Sequence, residues 1–335
     1  MIILGHSDVH EILSGSEQQT LDVVAAAYRL HDEGQSAVPH SVFLRFPGNK
    51  SDRIIGLPAY AGGENPVAGM KWISSFPGNV QRGQQRASAA ILLNSLDNGH
   101  PEALIEGSQI SARRTAASAA VAARELTAGD PPTGVTLIGT GVINLEVFRF
   151  LTEALPSIEE ITVFDTDADR AASFAEKCQE IKPVKAGQAA TIDEALAAQK
   201  LISFATTAIE PHTGLDACQP GTVVLHLSLR DLYADAIVAA RNIVDDADHV
   251  CREGTSLYLA EQQTGSRDFI DAPIGALLRG TAKLDRTPGE LVVYSPFGLG
   301  VLDMALAGYV RTEAERRGLG ATFETFISNE PSIPA

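Results

Sequence analysis

The segment "GVTLIGTGVINLEVFRFL", residues 134–151, carries Gly139-x-Gly141 between a short apolar run and a helix-like pattern. The first glycine permits a tight turn. The second lets the backbone approach a pyrophosphate, which the N–H groups of a helix start can hold. Thr140, Val142 and Ile143 belong to the same turn. Asp165 closes the next apolar run, "EITVFD", where a carboxylate receives the ribose hydroxyls of NAD and repels the 2′-phosphate of NADP. The third fingerprint position, commonly Gly or Ala, is Asn144. It serves helix–strand packing, so Asn144 is expected to cost packing and not phosphate contact. The competing reading is a purely structural glycine turn.

Three further positions could handle an anionic substrate or a proton. Lys71 lies in the apolar "GMKWISSF"; such a lysine either has a buried partner or sits on the solvent face of an edge strand. Arg114 and Arg113 begin an Ala-rich stretch, and by spacing either guanidinium could hold a carboxylate bidentately or lie exposed on a helix. Asp231 follows "VVLHLSLR", at or just past a strand end, where open α/β sheets bind ligands; the alternative is a loop or helix-capping role.

The elements that position these residues fall into two grammars. "SEQQTLDVVAAAYRLHDEG" reads as a helix stopped by Gly34. The runs "SVFLRF", "RIIGLPAY", "VAGMKWISSF", "ASAAILLNSL" and "PEALIEG" then suggest an antiparallel sheet, followed by the helix "SQISARRTAASAAVAARELT". "AGDPPTG" breaks the chain and is read as a domain boundary. Beyond it "VTLIG", "EITVFD", "PVKAG", "LISFATT", "GTVVLHLS" and "NIVDD" alternate with helical segments, as in a parallel sheet covered by helices. "LGVLDMALAGYVRTEAERRG" reads as an amphipathic helix, and the tail to Ala335 is expected to fray.

The net charge of −16 repels nucleic acid and anionic membrane, so neither is expected as a partner. Cys178, Cys218 and Cys251 show no metal-ligand spacing and an odd count, which suits reduced thiols in a cytoplasmic protein and no metal site. The N-terminus "MIILGHSDVH" lacks the basic start and long apolar run of a signal peptide.

The motifs "GMKWISSFPGN", "ISARRTAASAA", "LIGTGVIN", "VFD", "FATT", "LHLSLRD" and "SPFGLGVLD" occur in one order, and on them the chain resembles the ornithine cyclodeaminase/μ-crystallin family along nearly its whole length. That resemblance implies an α/β protein with a Rossmann-type, doubly wound NAD domain over 114–304. It also implies an α+β substrate-binding and dimerisation domain formed by 1–113 and the C-terminal helix in 305–335, and a homodimer. It would have Lys71 and Arg114, with Arg45 as a third ligand, grip a substrate α-carboxylate. Asp231 falls at the catalytic acid/base position, Lys71 also joins the catalytic set, and Thr115, Thr206 and Thr207 would lie along the cofactor.

The stretches "DRIIGLPAYAGG", "MKWISSFPGN" and "QRASAAILLN" resemble one branch, the 2,3-diaminopropionate biosynthesis dehydrogenases of siderophore and peptide-antibiotic pathways. The branch substrate, N-(1-amino-1-carboxy-2-ethyl)-glutamate, has three carboxylates, for which Arg86 is an additional candidate. The expected activity is NAD-dependent cleavage of a C–N bond. Ornithine cyclodeaminase, alanine dehydrogenase and a non-catalytic cofactor-binding protein are the alternatives.

Overall fold

The structure, a computed structural model, describes residues 1–324 and 326. The chain divides into two compact units. One comprises Met1–Ser16, Gly34–Ser111 and the chain from Gly300 on; the other comprises Glu17–Glu33 and Ala112–Leu299. No helix among the described residues is long and apolar enough to cross a membrane.

The first unit is built on a mixed sheet. Val42–Phe46, Asn49–Ala61, Val67–Ser75, Ala87–Asn94 and Pro101–Glu106 pair antiparallel in succession. Ile2–Leu4, a strand with no sequence signal beyond three apolar residues, joins Pro101–Glu106 in parallel. Period-2 alternation sets the two faces. Leu57, Ala59, Ile91 and Leu93 are buried on one of them. The helix Gly300–Arg317 lies there, with Gly300 so close to Ala59 and the Leu57 carbonyl that an added Cβ would crowd both at 3.1 and 3.4 Å. Read as amphipathic, this helix is in fact buried without interruption over Gly300–Met304 and shows a solvent face only further on. Part of the expected frayed tail is ordered by pairing, since Ala321–Thr322 runs antiparallel to Ile2 and Ile3. Residue 325 and residues 327–335 lie outside the described residues.

The second unit is a doubly wound, Rossmann-type domain. Its eight parallel strands stand in the order Lys185–Gln188, Glu160–Phe164, Gly134–Ile138, Leu201–Phe204, Val223–His226, Val292–Ser295, Arg241–Val244, Ile270–Pro273. The order reverses between Gly134–Ile138 and Leu201–Phe204, the switch point where such sheets open a crevice for ligands. Strands Gly134–Ile138, Leu201–Phe204, Val223–His226 and Val292–Ser295 are buried at every residue, which is why they read as continuous apolar runs. The thiols of Cys178 and Cys218 are pushed up to about 12 by burial, and that of Cys251 to about 11.

Two boundaries differ from the expectation. The chain passes between units inside the helix Ser108–Leu126, and "AGDPPTG" is only the turn that follows this helix. The helix Glu17–Asp32, counted in 1–113 from its position, packs in the second unit. There the Tyr28 hydroxyl bonds Ser118 and Tyr294, Glu17 pairs with Arg113, and His31 reaches Asp246. Gly275 sits against the Tyr28 carbonyl, where a Cβ would come within 2.5 Å.

Candidate functional site

The glycine turn has the backbone its sequence demands. Gly139 has φ +88°, and a side chain there would strike the Ala205 carbonyl oxygen at 2.6 Å. Gly141 opens the helix Val142–Ala154 without a side-chain cap, and an added Cβ would meet nothing within 4 Å. Open backbone at an uncapped helix start fits a pyrophosphate. Val142 is exposed, and Ile143 is half-buried.

Asp165 is tied to this turn. Its Oδ2 accepts from the Thr140 N–H at 2.9 Å and the Thr140 hydroxyl at 2.6 Å, and its Oδ1 accepts from the Asp167 N–H at 3.2 Å. Partial burial raises its pKa, but these bonds outweigh it and hold the carboxyl below its ordinary value. Asn144 reverses its expectation. It is fully buried, and its amide donates to the carbonyls of Gly139 (2.7 Å) and Ile138 (2.9 Å) while accepting from the Ser203 hydroxyl at 2.7 Å. A small residue packs helix on strand by close approach; Asn144 does it by hydrogen bonds that join two neighbouring strands at the turn.

Asp231 is a second carboxylate held by several side chains of the second unit. It has no exposed surface. Oδ1 accepts from the Thr206 hydroxyl and lies 3.3 Å from His212 Nε2; Oδ2 accepts from the Ser228 hydroxyl and lies 3.3 Å from His226 Nε2. His226 is buried, with Nδ1 3.3 Å from Ser295 Oγ. Burial pushes the Asp231 carboxyl up, but the hydrogen bond and charge of His226, with Ser228 and Thr206, hold it well below the usual carboxylate range. His212 and His226 were missed from sequence; the signal available for His226 was a histidine inside an apolar strand. Thr207 is exposed and Thr115 half-buried.

The arginine pair resolves as well. Arg113 is ion-paired with Glu17 at 3.4 Å and Glu146 at 3.6 Å. Arg114 is buried against Gly298, whose φ of +94° and missing side chain leave room for Nη1. The Gly298 N–H in turn donates to Asp245, whose carboxyl burial pushes up to about 6 despite three backbone donors.

In the first unit Lys71 is buried on an interior strand, not exposed on an edge. Its Nζ donates to Asp303 at 2.7 Å and to the Ser111 hydroxyl at 3.1 Å. Asp303, fully buried, was not singled out from sequence although it ends the motif "SPFGLGVLD". Arg45 is exposed, stacks over the Phe43 ring at 5.4 Å, and stands directly opposite Arg53 across the strands. Arg53 and Lys71 occupy the same face, since Arg53 pairs with Ser75 and Leu57 with Lys71. Arg86 is exposed and bonds Phe76 through its backbone, one step beyond the Ser75–Ala87 pair. It lies in a bend just before the strand Ala87–Asn94, where alternation carried one residue further would turn it opposite Lys71, and burial lowers its guanidinium below the ordinary arginine value.

Known proteins resemble this chain along its length. The N-((2S)-2-amino-2-carboxyethyl)-L-glutamate dehydrogenase of Staphylococcus aureus (strain NCTC 8325 / PS 47) is 27% identical over 333 residues, covering 97% of this chain and 99% of that protein. The Thermococcus litoralis Delta(1)-pyrroline-2-carboxylate reductase, solved with NADH and L-proline, superposes with a TM-score of 0.90 at 24% identity, covering 96% of this chain and all of that one. An archaeal alanine dehydrogenase dimer with bound NAD gives 0.87 at 22%, covering 97% and 99%; these two likenesses show the fold. Residues 2–318 match the model of the ornithine cyclodeaminase/mu-crystallin family, and the chain belongs to that family.

Proposed function

We propose that this protein is an NAD-dependent oxidoreductase that cleaves the C–N bond of N-(1-amino-1-carboxy-2-ethyl)-glutamate, giving 2,3-diaminopropionate and 2-oxoglutarate. The observation that carries the substrate choice is the pairing of Arg45 with Arg53 on the face that bears Lys71. Two guanidiniums directly opposite on a sheet present paired charge-assisted donors to the carboxylates of one ligand. A substrate with three carboxylates suits such a surface better than alanine or ornithine. The full-length likeness to the Staphylococcus aureus dehydrogenase points the same way.

Within this reading the open turn at Gly139–Ile143 holds the NAD pyrophosphate, Asp165 takes the ribose hydroxyls, and Thr115, Thr206 and Thr207 line the cofactor. The bound nicotinamide supplies the hydride acceptor. Lys71, Arg45, Arg53 and Arg114 are assigned as substrate-carboxylate ligands that fix the reacting carbon. Arg86 is assigned no carboxylate in this reading. The group around Asp231 manages the protons that the amine must lose and the leaving nitrogen must gain. The face opposite Lys71 exposes Val42, Leu44, Met70, Trp72 and Leu104, an apolar sheet surface that suits pairing with a second copy as a homodimer.

The test is product identification. The purified protein, incubated with the adduct and NAD, is expected to release equimolar 2,3-diaminopropionate, 2-oxoglutarate and NADH by mass spectrometry. Proline from ornithine, with the adduct untouched, would transfer the assignment to a cyclodeaminase. Cofactor binding without turnover of any amine would leave the non-catalytic alternative.

A further inference from the structure

A guanidinium receives a carboxylate bidentately only when its planar fork is held in one orientation. For Arg114 one wall of that holder is backbone, because a Cβ on Gly298 would stand 2.6 Å from Nη1 and 3.2 Å from Nη2. Gly298 has φ +94° and follows the strand Val292–Ser295 in a stretch outside any helix or strand. Asp245 fixes that stretch. It comes directly after the strand Arg241–Val244, the neighbour of Val292–Ser295 in the sheet. Its Oδ1 accepts from the N–H groups of Asp246 and Phe297, both at 2.9 Å, and its Oδ2 from that of Gly298 at 2.7 Å. Three converging N–H groups call for an acceptor-only side chain, and an ionised carboxylate is one. Burial pushes this carboxyl up to about 6, which still leaves it an anion at pH 7. Its charge and that of Arg114 both reach the enclosed Tyr28 hydroxyl, where Asp245 adds to the rise that burial causes and Arg114 opposes it.

We propose that Asp245 is a positioning residue for substrate binding: through the Phe297 and Gly298 N–H groups it fixes the backbone wall that aims Arg114 at the substrate α-carboxylate. The role rests on the carboxylate assignment of Arg114 given above. It does not depend on which amine is the substrate, because the adduct, ornithine and alanine all carry an α-carboxylate. Asp245→Asn nearly keeps the side-chain shape but leaves one acceptor oxygen for three N–H groups, so the loop loses part of its anchor. Arg114 then keeps its charge and loses its fixed plane. That weakens the grip on the carboxylate in ground state and transition state alike, which is read as a rise in KM.

The experiment measures kcat, KM and NAD affinity for wild type, Asp245→Asn, Arg114→Lys and the double variant. The amine is whichever of the adduct, ornithine and alanine wild type turns over fastest, with products read by mass spectrometry. Asp245→Asn is expected to raise KM about tenfold, with kcat and NAD affinity changed less than about threefold. Arg114→Lys keeps the charge but not the planar fork. In that background Asp245→Asn is expected to change KM less than about twofold, because no fork is left to aim. Gly298→Ala, which sets a Cβ against Nη1, is expected to give the same KM rise and the same dependence on Arg114, and it carries the test should Asp245→Asn not fold. An unchanged KM, an equal KM rise in both backgrounds, or a loss of NAD affinity as large as the KM rise would overturn the role. If ornithine or alanine is the fastest amine and the dependence on Arg114 is found, the positioning role stands and the adduct reading falls. If the adduct is fastest and the dependence is absent, only the positioning role falls. If wild type turns over none of the three, both fall.

Discussion

Each unit buries an aspartate completely, and the two are stabilised by different means. In the first unit Asp303 meets Lys71, itself only 2% exposed, and two opposite charges share one enclosed space. In the second unit Asp231 meets hydroxyls and imidazoles. The difference lies in what remains available. The Lys71–Asp303 pair fixes a cation and its counter-charge at one place on the sheet. Asp231 keeps its negative charge and passes its influence to the rings around it. Asp245 is a third solution: backbone donors alone, which leave burial dominant and the carboxyl raised to about 6. Ionisable groups perturbed by burial cluster at sites that bind or react, and structural ion pairs perturb them too.

The largest effect should come from breaking the ion pair. Asp303→Leu leaves Lys71 buried without its counter-charge and is expected to cost about 3–5 kcal/mol of unfolding free energy, measured by urea titration. Lys71→Met with Asp303→Leu should recover most of that loss. A single variant as stable as wild type would remove the distinction between the two aspartates.

Protons separate the second unit's own pair. The folded carboxyl of Asp231 is depressed, so its stabilisation is present above the unfolded pKa near ~4 and is lost as pH falls through the lower folded value. Asp245 is raised, so it destabilises near neutrality and stability recovers as pH falls through about 6. Between pH 7 and 4 Asp245 should add on the order of 2 kcal/mol, and Asp245→Asn should abolish that rise while leaving the loss below pH 4. Parallel pH–stability curves for wild type and Asp245→Asn would contradict the raised value.

The neutral-donor strategy of the second unit extends to Asn144. Removing its amide leaves the Gly139 carbonyl and the Ser203 hydroxyl short of partners, and Asn144→Ala should lower stability by about 1–2 kcal/mol. Calorimetric titration should show weaker NAD binding as well, because the turn that it pins is the one proposed to hold the pyrophosphate. The smallest effect returns to the first unit's cations. Arg53→Ala should lower kcat/KM for the adduct by about tenfold, and Arg86→Ala should leave it within about twofold. The reverse order in steady-state rates would put the substrate on the other face of the sheet.

The sequence discloses what depends on local backbone and hides what depends on distant pairing. Gly139 is legible because its positive φ excludes other residues, and the buried parallel strands are legible because both of their faces are apolar. Asp303 is not, since its partner is 232 positions away and a lone acid in a helix looks like a solvent-face residue. The roles of Arg53 and Arg86 hinge on strand register, where a shift of one residue reverses the face. The helix Glu17–Asp32 is visible in its own pattern, but nothing local tells which core receives it. Ile2–Leu4, Ile270–Pro273 and Val292–Ser295 are too short to carry a period of their own.

The most direct test of the account is a side-by-side measurement of kcat/KM for the glutamate–diaminopropionate adduct, ornithine and alanine, followed by mass-spectrometric product formation with wild-type protein and NAD at pH 7. The adduct should exceed the other two by at least about tenfold, the factor one charge-assisted carboxylate contact supplies. Alanine or ornithine turned over as fast as the adduct, or faster, would contradict it.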